Sequence, residues 1–150
     1  REFTLQLLYQ FDLRKVPLDE ILTTAWKGAG SHPSERRFAE SEAMGVIRHM
    51  EELDALIVAK ARNWKLARMS VIDRNLLRLG AYEILYAPDI PDTVTINECI
   101  ELGKTYSAQE SGAFINAILD KIAQENKKAK PKAKNKPKGD EQSKDGAGAE

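Results

Sequence analysis

The apolar helical stretch from Val71 to Tyr86 constrains this chain more than any other feature. Apolar residues cover more than half the circumference of a helix built on it, so it belongs at the centre of a core. These residues are Ile72, Leu76, Leu77, Leu79, Ala81, Ile84 and Leu85. Arg74, Arg78 and Tyr82 nevertheless recur at intervals of four residues and form one polar stripe. The stripe predicts either ion pairs within the fold or a binding surface.

Helical periodicity extends over most of the chain, and no stretch alternates as a strand would, so the sequence predicts an all-α fold. Pro17 suits the first turn of a second helix, because its missing N–H costs nothing there. Three residue pairs have the spacing of capping boxes, namely Ser70 with Asp73, Thr95 with Glu98, and Ser107 with Glu110. The predicted helices span residues 3–13, 17–27, 34–63 (with a kink near Gly45), 71–86, 95–106 and 107 onward.

The net charge of zero is a cancellation between two unequal parts of the chain. Residues 1–126 contain 15 basic and 19 acidic residues, a net charge of −4, whereas residues 127–150 contain 8 lysines and 4 acids, a net charge of +4. We therefore expect one helical domain over residues 1–126 and a disordered, lysine-rich tail over residues 127–150, which has too few apolar residues for a core. The tail suits either a nonspecific polyanion tether or a solubilising extension.

Several function classes find no support in the sequence. Cys99 is the single cysteine, so it forms no internal disulfide and suits a reducing compartment. No stretch approaches the length of a membrane span and the start does not resemble a signal peptide, so we expect a cytoplasmic protein. His32 and His49 lack metal-ligand spacing and no catalytic constellation is present, so we expect no cofactor, no metal and no enzyme activity.

Residues suited to binding are better represented than catalytic ones. Arg74 and Arg78 have the chemistry to pair with phosphates, and Tyr9 and Tyr106 have the chemistry to stack on unpaired bases. Each also has a second interpretation, the arginines as helix-surface ion pairs and the tyrosines as core edges with a wet hydroxyl. Asn116 interrupts an apolar helix, where it either satisfies a buried group or faces a ligand.

Four patterns in the second half of the chain and one at its start carry a family resemblance. They are Trp64-x-Leu66-x-Arg68, Ile72-Asp-Arg74-x-x-Leu77-Arg78-x-x-x-Tyr82-Glu83, Asp89-Ile-Pro91-x-x-Val94-x-Ile96-Asn97-Glu98-x-Ile100-Glu101-Leu102-x-Lys104, Phe114-Ile-Asn116-x-Ile118-Leu119-Asp120, and Arg1-Glu2 with Leu5-Gln6-x-Leu8-Tyr9. Together they closely resemble the NusB family of transcription antitermination factors. The resemblance covers Arg1 to about Lys121 and is specific in its second half.

This resemblance implies an all-helical fold of two three-helix subdomains that share a central helix. It also implies RNA binding. NusB-like proteins pair with NusE, a ribosomal protein, and hold the boxA element of nascent ribosomal RNA in an RNA polymerase assembly that reads through terminators. Residues similar to the family's RNA face are Arg1, Gln6, Tyr9, Arg78, Lys104, Tyr106, Phe114 and Asn116. Residues similar to its partner face are Asp73, Arg74 and Glu110.

Some features depart from the family pattern. Ala117 stands where the family usually has Gly after the Asn, so its methyl group is expected to shift a close helix contact. The lysine-rich tail is not part of the family core. Family members carry an arginine-rich segment before the position of Arg1, and we expect further natural residues upstream of it.

Two other function classes are compatible with the sequence. The first is the NusB-like RNA-binding domain that begins some ribosomal RNA cytosine methyltransferases. Such an enzyme would continue into a methyl-donor-binding α/β domain, whereas this chain continues into a lysine-rich tail. The second is a helical scaffold with no RNA role.

Overall fold

The computed structural model of the chain describes residues 1–27, 30–62 and 64–129. These residues form helices and connecting turns without strands, which confirms the predicted all-α class. The helices are α1 (Glu2–Arg14), α2 (Leu18–Ala25), α3 (Pro33–Arg48), α4 (Met50–Lys60), α5 (Val71–Tyr86), α6 (Asp92–Tyr106) and α7 (Ser111–Ala129), with a 3-10 turn at Leu66–Arg68 before α5.

Helix α5 lies at the centre of the molecule, as its apolar circumference predicts. It packs against α1 and α3 on one side and against α4, α6 and α7 on the other. Leu76, Leu77 and Leu79 on α5 are fully buried, and so is Cys99 on α6, which is a core residue as its size suggests. The predicted arrangement is therefore confirmed: α1–α3 and α4, α6 and α7 form two three-helix groups that share α5.

The long helix predicted over residues 34–63 is wrong, because two helices meet at His49 instead. The backbone of His49 leaves helical geometry, with φ −106° and ψ 13°, four residues beyond the kink expected near Gly45. Helix α3 packs on α1, whereas α4 packs on α5 and α7. One straight helix cannot reach both groups, so the break at His49 allows each half to pack in its own subdomain.

None of the three predicted capping boxes forms in full, although one of them supplies its N-cap. Ser70 does cap α5, since its hydroxyl accepts from the Asp73 N–H at 3.0 Å, but the Asp73 carboxylate accepts from Ser111 Oγ at 3.1 Å rather than returning to Ser70. Helix α6 begins three residues before Thr95, after Pro91. Helix α7 begins at Ser111, and Ser107 instead follows the last residue of α6. Asp73 and Thr95, which could complete a cap locally, form hydrogen bonds with residues of other helices instead.

The last helix extends past the predicted domain boundary at residue 126. Lys127 and Lys128 lie in the final turn of α7, which runs to Ala129, so the first part of the expected tail is helical. The prediction of disorder for residues 130–150 lies outside the described residues.

Candidate nucleic-acid interface

A groove between α1 and the end of α6 brings together three of the predicted RNA-binding residues. Gln6 and Tyr9 line it from α1, and Tyr106 lines it from α6, about 100 positions away in sequence. The cavity measures about 310 Å³ and its surface is mostly apolar. Both tyrosine rings are exposed, Tyr9 by 39% and Tyr106 by 46%. Aromatic rings stack on unpaired bases, and an amide hydrogen-bonds to a base edge. This combination is therefore suited to binding single-stranded RNA.

The sequence of α1 fixes which side chains reach this groove. Leu5 and Leu8 are buried against the core, so Gln6 and Tyr9 must point outward on the neighbouring face. On the other wall, the Tyr106 hydroxyl donates to the Glu2 carboxylate. That hydrogen bond raises the pKa of Tyr106 and holds its ring at the groove edge.

A second pocket lies between the 3-10 turn and the start of α7. Asp73, Glu110 and Phe114, predicted to contact partner or RNA, all line this cavity of about 220 Å³. The rings of Trp64 and Phe114 meet edge to face with centroids 5.9 Å apart. Trp64 is 55% exposed, an unusual state for so large an apolar side chain.

Asp73 has one satisfied and one unsatisfied carboxylate oxygen. Its Oδ2 accepts from Ser111, whereas its buried Oδ1 has no hydrogen-bond partner among the described residues. A buried acceptor without a donor costs free energy, about 1–3 kcal/mol. Asp73 as a whole is partly exposed and lines the second pocket, so its carboxylate contributes negative charge there.

Lys104 and Asn116 lie on the surface where α6 meets α7. The aliphatic part of Lys104 lies over Gly112, and its ammonium is 3.8 Å from Glu101. Asn116 follows Gly112 by one helical turn, is exposed, and donates to no described residue, so it does not satisfy a buried group. Ala117 is exposed too, which places its methyl group away from the close helix contact that was expected.

Arg78 is turned away from solvent. Its guanidinium donates to both oxygens of Asp54 at 2.7 and 2.9 Å and to Asp12 at 3.1 Å, and the residue is 6% exposed. Arg74 makes a two-bond contact with the same Asp12 at 2.6 and 2.9 Å. Burial alone would raise the pKa of Asp12, but its hydrogen bonds to Arg74 and Asn75 hold that pKa below its ordinary value. These contacts correspond to ion pairs with other helices, the second interpretation of the stripe.

The Arg1 side chain also faces inward, toward α5, the helix that the two helix groups share. Its Nε lies 3.0 Å from both carboxylate oxygens of Glu83, which is fully buried and also accepts from the Thr95 hydroxyl at 3.0 Å. Glu42 lies beside this pair, where burial and then the charge of Glu83 raise the pKa of Glu42 to about 8. The Arg1 side chain thus ties the start of α1 to α5.

The structure separates the predicted residues into two sets. Exposed and accessible to a ligand are Gln6, Tyr9, Lys104, Tyr106, Asn116 and Glu110, together with the partly exposed Phe114 and Asp73. Engaged in internal ion pairs are Arg1, Arg74 and Arg78. Sequence reasoning gave no role to Trp64, although its place in the quoted pattern and its contact with Phe114 make it part of the second pocket.

The third member of the stripe, Tyr82, belongs to another aromatic group. His49 stacks on Tyr86 at 4.1 Å and on Tyr82 at 6.2 Å, where α5 passes the break between α3 and α4. The Tyr86 hydroxyl donates to Glu52 at 2.6 Å. This aromatic group packs where α3 meets α4, and it lines neither the groove of Tyr9 and Tyr106 nor the second pocket.

Comparison with known proteins identifies the family. The profile of the NusB family matches residues 1–124. The chain belongs to the NusB family. It is 46% identical over 127 residues to the transcription antitermination protein NusB of Myxococcus xanthus, a match that covers 82% of this chain and 91% of that protein. The protein of the same name from Trichlorobacter lovleyi is 43% identical over 122 residues, which cover 81% of this chain and 86% of that protein.

Solved structures of NusB proteins share the fold. NusB from T. maritima superposes with a TM-score of 0.76 at 37% identity, covering 82% of this chain and 87% of that one. A chain from the crystal structure of the antitermination factors NusB and NusE in complex with dsRNA gives a TM-score of 0.75 at 23% identity, covering 82% and 92%. At that identity, the second likeness establishes the fold alone.

Two further findings concern the residues that the structure describes. None of their His, Cys, Asp and Glu side chains is grouped so as to hold a metal ion. None of their helices combines the length and the apolar character needed to cross a membrane.

Proposed function

We propose that this NusB-family chain is a transcription antitermination factor that binds boxA-type single-stranded RNA together with the ribosomal protein NusE. Its role is binding rather than catalysis, in the cytoplasm, as part of an RNA polymerase antitermination assembly. The relatives in Myxococcus xanthus and Trichlorobacter lovleyi that support this proposal are named as transcription antitermination proteins. The methyltransferase-domain alternative finds no such support, since those relatives are matched over most of their length.

The convergence of Gln6, Tyr9 and Tyr106 on one groove carries the proposal. Tyr9 and Tyr106 present exposed rings from two helices, and the Gln6 amide can both donate to and accept from a base edge. Lys104 lies two residues before Tyr106 on α6, and this spacing turns its side chain toward α7 rather than into the groove. Lys104 and Asn116 are exposed where α6 meets α7, and there they supply a cation and an amide for RNA contacts outside the groove.

The groove predicts how tyrosine substitutions affect RNA affinity. Tyr9→Ala and Tyr106→Ala should each weaken binding of a boxA-type RNA by about 1–3 kcal/mol, because each removes a stacking ring. Tyr106→Phe should keep most of the affinity, since it retains the ring and loses only the bond to Glu2. Fluorescence anisotropy with labelled RNA, NusE and the full chain measures these constants.

The matched control is Tyr86→Ala, which removes an exposed tyrosine from the far aromatic group. It should leave RNA affinity unchanged. A scrambled RNA of equal length should bind more weakly than the boxA-type RNA. Equal affinity of wild type for both RNAs, or equal losses for Tyr9→Ala and Tyr86→Ala, would count against the proposal.

The second pocket supports a contact with NusE. Asp73 and the exposed Glu110 place two carboxylates on the lining of this pocket, where a cationic group of NusE can bind. Asp73→Asn should weaken binding of NusE, measured by calorimetry, because the amide lacks the charge that a cationic partner group would meet. Glu101→Gln, an exposed acid outside the pocket, is the control. Unchanged NusE affinity in Asp73→Asn, with normal circular dichroism, would exclude this contact.

A further inference from the structure

A basic pocket lies between the end of α4 and the last turns of α7, apart from both candidate surfaces described above. Four cations line it, Lys60, Arg62, Lys121 and Lys128, against the single carboxylate of Glu125. The cavity measures about 350 Å³. Residues 1–126 carry a net charge of −4, so a local excess of three positive charges runs against the charge of the domain.

Most of these cations have no partner inside the described part of the chain. Lys60 pairs with Glu125, whereas Arg62, Lys121 and Lys128 form no ion pair with a described residue and all three are exposed. The backbone of Arg62 has a φ of 26°, a conformation that residues with a Cβ seldom adopt.

Unpaired cations that line the same pocket repel one another, so an anionic ligand would relieve that repulsion.

The pocket continues a row of side chains along α7. Phe114, Lys121 and Lys128 are spaced by seven residues, which places them on one face of the helix about 10 Å apart. The row begins at the Trp64–Phe114 contact of the second pocket. Beyond Lys128 the sequence carries lysine at every second position up to Lys138.

The surroundings favour a nucleic-acid backbone over other polyanions. The apolar face of α7, which includes Ile115, Ile118 and Ile122, is buried in the core, so α7 has no face to insert into a lipid surface. The pocket itself contains no aromatic or large aliphatic anchor of the kind that protein interfaces use. Recognition there rests on charge, which is how proteins hold phosphodiester chains without reading their sequence.

We propose that the pocket of Lys60, Arg62, Lys121 and Lys128 is a second, sequence-independent RNA site that holds the phosphodiester backbone. This site is separate from the groove of Tyr9 and Tyr106 and does not depend on boxA recognition.

The test measures binding of the full chain to a single-stranded oligouridylate as salt is raised. The double variant Lys121→Gln with Lys128→Gln should reduce the slope of log affinity against log salt by about 1.4, since each neutralised phosphate of a single strand contributes about 0.7. Glutamine is a good helix former, so α7 should stay intact.

Two controls separate this site from others. Lys27→Gln with Arg37→Gln removes two exposed cations outside the pocket and should leave the slope unchanged. Tyr9→Ala should lower boxA affinity without changing the oligouridylate slope, so failure of the groove proposal and failure of this one are distinguishable.

Three results would overturn the proposal. The first is a pocket variant with the slope of wild type, and the second is an equal decrease in the control variant. The third is a pocket variant that keeps its oligouridylate affinity and loses affinity for phosphatidylserine vesicles, which would make the partner a membrane surface.

Discussion

Two cationic side chains that look equivalent in the sequence have different surroundings in the structure. Arg78 and Lys104 are both cations on helices near the predicted RNA face, but Asp12 and Asp54 enclose the guanidinium of Arg78, whereas Lys104 is exposed beside Glu101. The acids that enclose Arg78 lie on α1 and α4, 66 and 24 positions away. A pattern along one helix does not contain that information.

Arg78→Met should destabilise the protein by about 3 kcal/mol, because it leaves Asp12 and Asp54 without their shared partner in a partly buried site. Urea denaturation followed by circular dichroism measures the change. RNA affinity of the folded fraction should stay at the wild-type value.

Arg37→Met serves as the control for this substitution, since Arg37 is exposed and pairs with no described residue. It should shift stability by less than about 0.5 kcal/mol. If Arg78→Met instead kept its stability and lost RNA affinity, the arginine would be an RNA contact, as the family resemblance implies.

At the scale of elements, the apolar pattern of α5 identifies the helix correctly from Val71 to Tyr86. The starts of α6 and α7 are not predicted as well, because the Thr95 hydroxyl donates to Glu83 and the Ser107 hydroxyl hydrogen-bonds with Ser70 and Ser111. The spacing of a capping box shows that a side chain can reach a nearby backbone N–H. Whether it does so depends on which side chains of other helices compete for the same hydrogen bond.

Close packing of α5 on α6 and α7 depends on Gly80. A Cβ at this position would lie 2.5 Å from Leu119 Cδ1 and 3.3 Å from Cys99 Sγ, and both neighbours are fully buried. Gly80→Ala should therefore destabilise the protein by about 1–3 kcal/mol through overpacking, although alanine favours the helix by about 1 kcal/mol. Thermal unfolding measures the change.

Gly30→Ala is the matched glycine control, because no described residue other than its chain neighbours has an atom within 4 Å of the added Cβ. Its melting temperature should stay close to that of wild type. A stabilised Gly80→Ala variant would mean that α6 and α7 separate easily enough to admit a methyl group.

At the scale of the whole molecule, two charged groups join the helix subdomains. Asp12 on α1 holds two arginines of α5, and Glu83 on α5 holds Arg1 and Thr95. Both groups are more than pairwise contacts, since each links helices from different parts of the chain. Their protonation therefore couples pH to the stability of the assembled fold.

Glu42 predicts a loss of stability as pH rises. Its pKa is about 8 in the folded chain against an ordinary 4.5, so the unfolded chain releases a proton that the folded chain keeps. The protonated Glu42 contributes fully to the free energy of unfolding below about pH 4.5, and this contribution is lost as the pH rises to about 8. The stability difference between Glu42→Gln and wild type should grow in favour of the variant across this window.

Urea midpoints measured at several pH values test this prediction, with Glu51→Gln as an exposed-acid control. Asp12 acts in the opposite sense: its pKa lies below the ordinary 3.8, so its contribution is present above that pH and is lost in acid. The two windows do not overlap. A constant difference between Glu42→Gln and wild type at all pH values would show that Glu42 has the same pKa in the folded and unfolded chain.

The helical class, the central place of α5, the core role of Cys99 and the family resemblance are all predicted correctly from the sequence. These follow from apolar periodicity and local motifs, which are properties of neighbouring residues. Four features emerge only when the helices are packed together. Tyr9 and Tyr106 share a groove, Arg78 is enclosed by acids, His49 breaks a predicted helix, and Lys121 and Lys128 line one pocket with Arg62. Each of these depends on which distant helix packs nearby, and packing is set by the whole core rather than by any one segment.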